Sequence, residues 1–180
     1  AIALAHRLFG APGTSWYAPR ANESASTGAR AGAAIAVRCE VPPTLGPEAV
    51  ASVQNARRGV LKRIVEAQGG RLLPGRGAID RAVFGVPTSF ENDVQRAARA
   101  LAEARDALEP DARLVLEAGA LVQVGADVVG ACALAAEAAC WQAAPGAFVL
   151  PTAARALGLR EGAGGPGALV PLEDLEVGAR

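Results

Sequence analysis

Residues 69–87 read GGRLLPGRGAIDRAVFGVP, two apolar runs around Pro74-Gly75-Arg76-Gly77, and few folds can use such a stretch except as an antiparallel hairpin. Proline presets φ and glycine allows positive φ, so these four residues are turn chemistry and the flanks, Arg71 to Leu73 and Ile79 to Val86, are predicted strands. A predicted helix precedes them. Pro47 suits its first turn, Val50, Val53, Val60, Leu61 and Ile64 recur at helical spacing, and Gly69-Gly70 ends it after about six turns of roughly 3.6 residues.

The rest of the pattern follows from the same periods. Ala34 to Val41 (AIAVRCEV) reads as a strand ended by Pro42-Pro43, since proline cannot donate to a ladder. Ser89 can cap a second helix with the stripe Val94, Ala97, Ala98, Leu101, Ala104 and Leu108, closed by Pro110. Arg113 to Val124 predicts a strand, bent or broken at Gly119. Strand, helix, strand, strand, helix, strand is the split βαβ plan: an α+β, ferredoxin-like βαββαβ sandwich with two helices on one face of an antiparallel sheet. A C-terminal extension adds an alanine-rich helix near Val129 to Ala143, a strand at Ala147 to Leu150, a short helix at Thr152 to Leu157, a Gly-rich loop at Glu161 to Gly167 and a last strand within Ala168 to Val177.

A chain of 180 residues suits one domain with extensions. We divide it into an arm and Gly/Ser/Pro/Ala-rich linker over 1–33, with the apolar piece Ile2 to Phe9 at its start, and a domain over 34–180. The apolar share of 51% is inflated by alanine, so the core is lean. Eighteen basic residues balance eighteen acidic ones, which argues against nucleic acid as a partner. Cys39, Cys132 and Cys140 show no CxxC spacing, and His6 is the one histidine that could join them, so reduced thiols and the cytoplasm are expected. No run approaches the roughly 18 apolar residues of a membrane span. A chain that lacks methionine reads as a processed form or a segment of something longer.

The succession AIAVRCEV, EAQGG, AVFGVP, ENDVQRAARALAEARDAL, EAGALVQVG and PGAFVLPTAARAL resembles the class III adenylate and guanylate cyclase homology domain from Ala34 to about Leu157. The matching slots of that family hold a strand ending in aspartate, HGG, AVFGAP, a helix opening EDDAERA, HTGEVVVG and PGEVLVSEATRRL. Each motif alone is weak; their order and spacing carry the likeness. The resemblance implies a domain that, paired with another, makes a cyclic nucleotide from a nucleoside triphosphate, with two aspartates holding two metal ions and an asparagine and an arginine supplied across the interface.

At those slots this chain holds other residues. The first metal position falls on Glu40 and the second on Ala78, which has no oxygen to offer a hard cation. Asp80 shares the face of Ala78 but lies roughly 6 to 7 Å along the strand. The base-recognising lysine corresponds to Pro74, the asparagine to Leu134 and the arginine to Ala138. Asp127 falls where mammalian-type adenylyl cyclases place an adenine-contacting aspartate, and an ordinary loop aspartate is the competing reading. The expectation is therefore a catalytically inactive cyclase-homology module with a regulatory, dimerisation or scaffolding role in a larger signalling protein. Its partner would be itself, another cyclase-like domain or a neighbouring signalling domain, and no cofactor is expected. The alternatives are the non-catalytic half of a heterodimeric adenylate cyclase, using ATP with Mg or Mn, and a small-ligand or nucleotide-sensing domain.

Other chemistry has less support. Gly75-Arg76-Gly77 does not open a helix as phosphate loops do. Ser15, Ser24 and Ser26 could draw only on His6 for a hydrolase triad. Cys132 and Cys140 fall on one helix face, which suits packing. Ala78, Ala131, Ala133, Leu134 and Ala138 read as a small apolar surface for a partner, and Trp141 as either its anchor or a core residue.

Overall fold

Both faces of the first strand are apolar, and that places it in the middle of the sheet. In β1 (Arg30–Arg38), Ala33, Ile35 and Val37 point to one side and Ala34 and Ala36 to the other, all at most 3% exposed. The structure, a computed structural model, describes residues 28–159 and 170–171. The arm at Ile2 to Phe9, His6, Ser15, Ser24, Ser26 and the loop Glu161 to Gly167 lie outside the described residues.

After β1 come α1 (Pro47–Ala67), β2 (Arg71–Arg76), β3 (Ile79–Phe84), α2 (Asp93–Ala107), β4 (Arg113–Val124), β5 (Asp127–Val129), α3 (Ala131–Gln142), β6 (Gly146–Val149), α4 (Pro151–Ala156) and β7 (Val170–Pro171). The sheet order is β2-β3-β1-β4-β6-β7, with β5 folded back on β4. β4 and β6 run parallel, and the other pairs are antiparallel. The first four strands thus take the expected ferredoxin-like arrangement.

One face of the sheet meets α1, α2 and α4 through a core that includes Ile35, Leu61, Val65, Phe84, Leu101 and Leu116. The other face is covered by α3, the alanine-rich helix of the extension, whose Cys132, Ala133, Ala136 and Cys140 pack on Ala34, Ala36, Val83 and Val115. Gly119, expected to bend or break its strand, does neither. It pairs with Gly32 in an unbroken ladder, and a Cβ there would lie 3.1 Å from the Cβ of Cys132, so its bareness lets α3 approach.

Other boundaries shift for local reasons. β1 begins at Arg30, ahead of the expected Ala34 and inside the tract read as linker, because Arg30 to Ala33 pair with Leu121 to Ala118 of β4. The boundary drawn at residue 33 therefore cuts a strand. β1 also ends at Arg38 rather than Val41. β2 runs on through Arg76, with an irregularity after Leu73, so the turn shrinks to Gly77-Ala78. Ser89 does not cap α2: its Oγ donates to the carbonyl of Ala31 at 2.7 Å, and the helix starts at Asp93 after Asn92. β5 had no signal in the sequence beyond the two valines of Asp127-Val128-Val129.

Candidate functional site

The ends of β1, the β2–β3 hairpin and α1 enclose Ala78, the second of the two positions singled out for metal. Val37 pairs with Asp80 and Arg38 with Ile79, a register that brings Cys39 beside Ala78. Val37, Cys39, Gly77, Ala78 and Asp80, together with Gln54, Asn55, Arg57 and Arg58 of α1, line a cavity of about 140 Å³. Glu40 is not among its lining residues. Arg38 lies on the α3 side, over the ring of Trp141 at 4.3 Å, and Glu40 follows it there.

Glu40 Oε1 accepts a hydrogen bond from Arg113 Nη1 at 2.6 Å, with Arg38 Nη2 at 3.7 Å. Arg38 and Arg113 are cross-strand partners, so their like charges oppose each other and the carboxylate between them relieves the repulsion. The bond from Arg113 holds the Glu40 carboxyl below the usual carboxylate range. Its backbone carbonyl accepts from Arg57 Nη1 at 3.0 Å. Main chain and side chain of Glu40 are both engaged by arginine.

Asp80 lies on the cavity side and forms an ion pair with Arg58, which also donates to the carbonyl of Leu73. Burial pushes the Asp80 carboxyl above its ordinary value, and the charge of Arg58 offsets only part of that. Ala78 supplies no oxygen, a guanidinium stands against Asp80, and Glu40 serves two arginines. These residues do not fit a pair of divalent cations. Among the described residues no group of three or more His, Cys, Asp or Glu side chains is arranged to hold a metal ion.

The two carboxyls should titrate on opposite sides of the ordinary range. Glu40, depressed in the folded state, contributes stability that is present at neutral pH and lost as pH falls through its folded value. Asp80, raised, contributes most in acid, and that contribution is lost as pH rises through its folded value. Carbon-13 NMR of the side-chain carboxyls checks this; an Asp80 midpoint at or below about 3.9, the model-peptide value, would contradict the geometry.

α3 presents the positions matched to asparagine and arginine. Leu134 is 63% exposed, and Ala131, Ala135 and Ala138 are exposed beside it. Ala133, expected on this surface, instead faces the sheet at 4% exposure. Ala78 is exposed as well but borders the cavity across the sheet, so the five small residues do not form one surface. Trp141 is half-exposed rather than part of the core, held under the guanidinium of Arg38. Cys132 and Cys140 pack inward as expected, Cys140 Sγ donating to the Arg113 carbonyl at 3.3 Å. Burial pushes the thiols of Cys39, Cys132 and Cys140 up to about 11.

A buried charge cluster joins these parts. Arg81 of β3, 4% exposed, donates from Nη2 to Asp127 Oδ1 at 3.1 Å and has Nε 3.4 Å from Glu137 Oε1 of α3. Asp127 Oδ1 also accepts from the N–H of Val128 at 2.8 Å. The carboxylate matched to an adenine contact therefore faces an arginine of its own chain. Sequence reasoning passed over Arg81 and Glu137. Their signals were a lone arginine inside the apolar run AVF-type strand and the one charged residue of α3.

No protein-family profile matches the sequence, and no curated protein does. Solved structures do. The guanylyl cyclase domain of the RhoGC fusion protein from the aquatic fungus Blastocladiella emersonii, in a dimeric form, superposes with a TM-score of 0.65 at 12% identity, over 72% of this chain and 84% of that one. The guanylyl cyclase Cya2 gives 0.56 at 21% identity, over 72% and 79%. The adenylyl cyclase CyaB from P. aeruginosa gives 0.58 at 14% identity, over 73% and 82%. The fold is that of nucleotide cyclase domains, as the resemblance implied. Among the described residues, no helix is long and apolar enough to cross a membrane.

Proposed function

We propose that this chain is a catalytically silent cyclase-fold module of a cytoplasmic signalling protein, acting by contact with a second domain rather than by turnover. The observation that carries the reading is the state of the carboxylates: Glu40 is bound to Arg113, Asp80 to Arg58 and Asp127 to Arg81. Cyclase chemistry asks for oxygens free to take cations and for donors aimed at developing charge. Leu134 and Ala138 provide no such donors. Removing a single charge-stabilising contact commonly lowers a rate by about 10² to 10³, so several missing together leave no useful activity.

Two other readings receive less support. The half-site of a heterodimeric cyclase would offer Asp127 to adenine, yet that carboxylate already accepts from Arg81. A ligand-sensing role draws on the cavity beside Cys39 and Asp80, whose arginines are both engaged internally.

Isothermal titration with ATP and Mn²⁺, together with a cyclic-nucleotide assay, is expected to give no binding heat and no product. Robust turnover by the isolated chain would overturn the proposal. Saturable ATP heat without product would move it to the ligand-sensing reading.

A further inference from the structure

The cavity between α1, the end of β1 and the β2–β3 turn is small, mixed in polarity and internally neutral. Val37, Cys39 and Ala78 give it an apolar wall, while Gln54, Asn55 and Asp80 bring polar groups to it. Its two guanidiniums are engaged within the protein. Arg58 pairs with Asp80 and donates to the Leu73 carbonyl. Arg57 pairs with Glu109 at 2.9 Å and donates to the Glu40 carbonyl at 3.0 Å. Cys39 keeps its thiol proton, pushed up to about 11 by burial, and so adds no charge.

Other hydrogen-bonding capacity stays open. The side-chain amides of Gln54 and Asn55 make no hydrogen bond to a described residue. Asp80 accepts from Arg58 through Oδ1, and among the described residues nothing donates to its Oδ2.

We infer that this cavity binds an uncharged single-ring heterocycle carrying an amide N–H beside its C=O, a cyclic imide or a ring carboxamide. Size selects the single ring. A volume of about 140 Å³ is close to the roughly 150 Å³ that accommodates benzene and well below the roughly 300 Å³ at which larger ligand sites begin. A nucleoside triphosphate is therefore too large. Charge selects the neutral form: an anion would face Asp80 with both guanidiniums already taken, and a cation would have to draw Asp80 away from Arg58. The free oxygen of Asp80 accepts the ring N–H in a charge-assisted bond, and an amide of Gln54 or Asn55 donates to the C=O. The ring face lies on Val37, Cys39 and Ala78, displacing loosely held water. The same alanine that deprives the turn of a carboxylate leaves room for the ring. This site goes beyond the contact role and involves no turnover.

A ligand of about eight non-hydrogen atoms held this way binds weakly, with dissociation of about 0.1 to 1 mM. Saturation-transfer NMR on the full chain, with uracil and nicotinamide as probes, should show saturable binding by at least one of them in that range. Benzoate, similar in size but anionic, should not bind. Ala78→Leu, at an exposed turn position, should abolish binding by occupying the cavity. The pair Gln54→Ala and Asn55→Ala, also exposed, should weaken it about threefold to tenfold, the loss of one hydrogen bond. The melting temperature of the free variants reports that they fold. Failure of both probes to bind below about 10 mM overturns the inference. Benzoate binding as well as the amides do refutes the neutral class. Binding that survives Ala78→Leu lies elsewhere on the protein and refutes the site. Cyclic-nucleotide product would overturn catalytic silence and leave this site standing, because the two measurements share no step.

Discussion

Phe84→Ala should lower the free energy of unfolding by about 4 kcal/mol, read as a fall in the urea midpoint at unchanged slope. The chain has only four phenylalanines in an alanine-rich sequence, and Phe84, fully buried, heads the largest side chains of the core. Few neighbours are long enough to collapse into the space it would vacate, which keeps the cavity cost high. Its ring also lies against Gly70, where a Cβ would stand 2.5 Å from ring carbons. The end of α1 and the end of β3 thus meet through an aromatic ring seated on a bare backbone. Domains of this kind are stable by about 5 to 15 kcal/mol, so the loss would take a third or more of that margin. A change under about 1 kcal/mol would mean that Phe84 is not packed as described.

Arg81→Leu is expected to cost about 3 kcal/mol by the same measurement, near the lower figure for breaking a buried ion pair. The guanidinium is nearly inaccessible, whereas the Asp127 side chain keeps 33% of its surface in water and that of Glu137 20%. Removing the arginine leaves both carboxylates in place without the positive charge they share. A second substitution, Glu137→Gln, should therefore restore part of the loss, a sign reversal that a pure packing role for Arg81 does not produce. Arg81→Lys should rescue less than half, because one ammonium cannot serve two carboxylates held by separate elements. If Arg81→Leu were as stable as the parent, the cluster would contribute nothing and α3 would be held by the packing of its alanines and cysteines.

Local chemistry made most of the frame legible. The Gly69-Gly70 stop, the apolar runs flanking the hairpin and the helical stripe ending at Leu108 each depend on residues close in sequence, and each element formed near its expected place. Where short-range signals misled, a distant partner intervened. Arg30 to Ala33 look like linker until β4 arrives to pair with them, and Ser89 looks like a cap until the Ala31 carbonyl takes its hydroxyl. The candidate site was legible as a set of missing groups at Ala78, Leu134 and Ala138. It was not legible as a set of engaged ones: nothing near Glu40 in sequence announces Arg113, which reaches it from a strand 73 positions later.

The order of elements, the hairpin, the two periods and the absence of oxygen or charge at Ala78, Leu134 and Ala138 are properties of the sequence alone, because each rests on backbone preference or on the atoms a side chain possesses. Which face α3 would cover, where Arg81 would find its carboxylates and which way Glu40 and Asp80 would turn were decided only by the tertiary structure. A strand's period of two residues separates two faces but does not say which one a later element will cover. A charged residue on either face reads as solvent-exposed until that element brings the opposite charge.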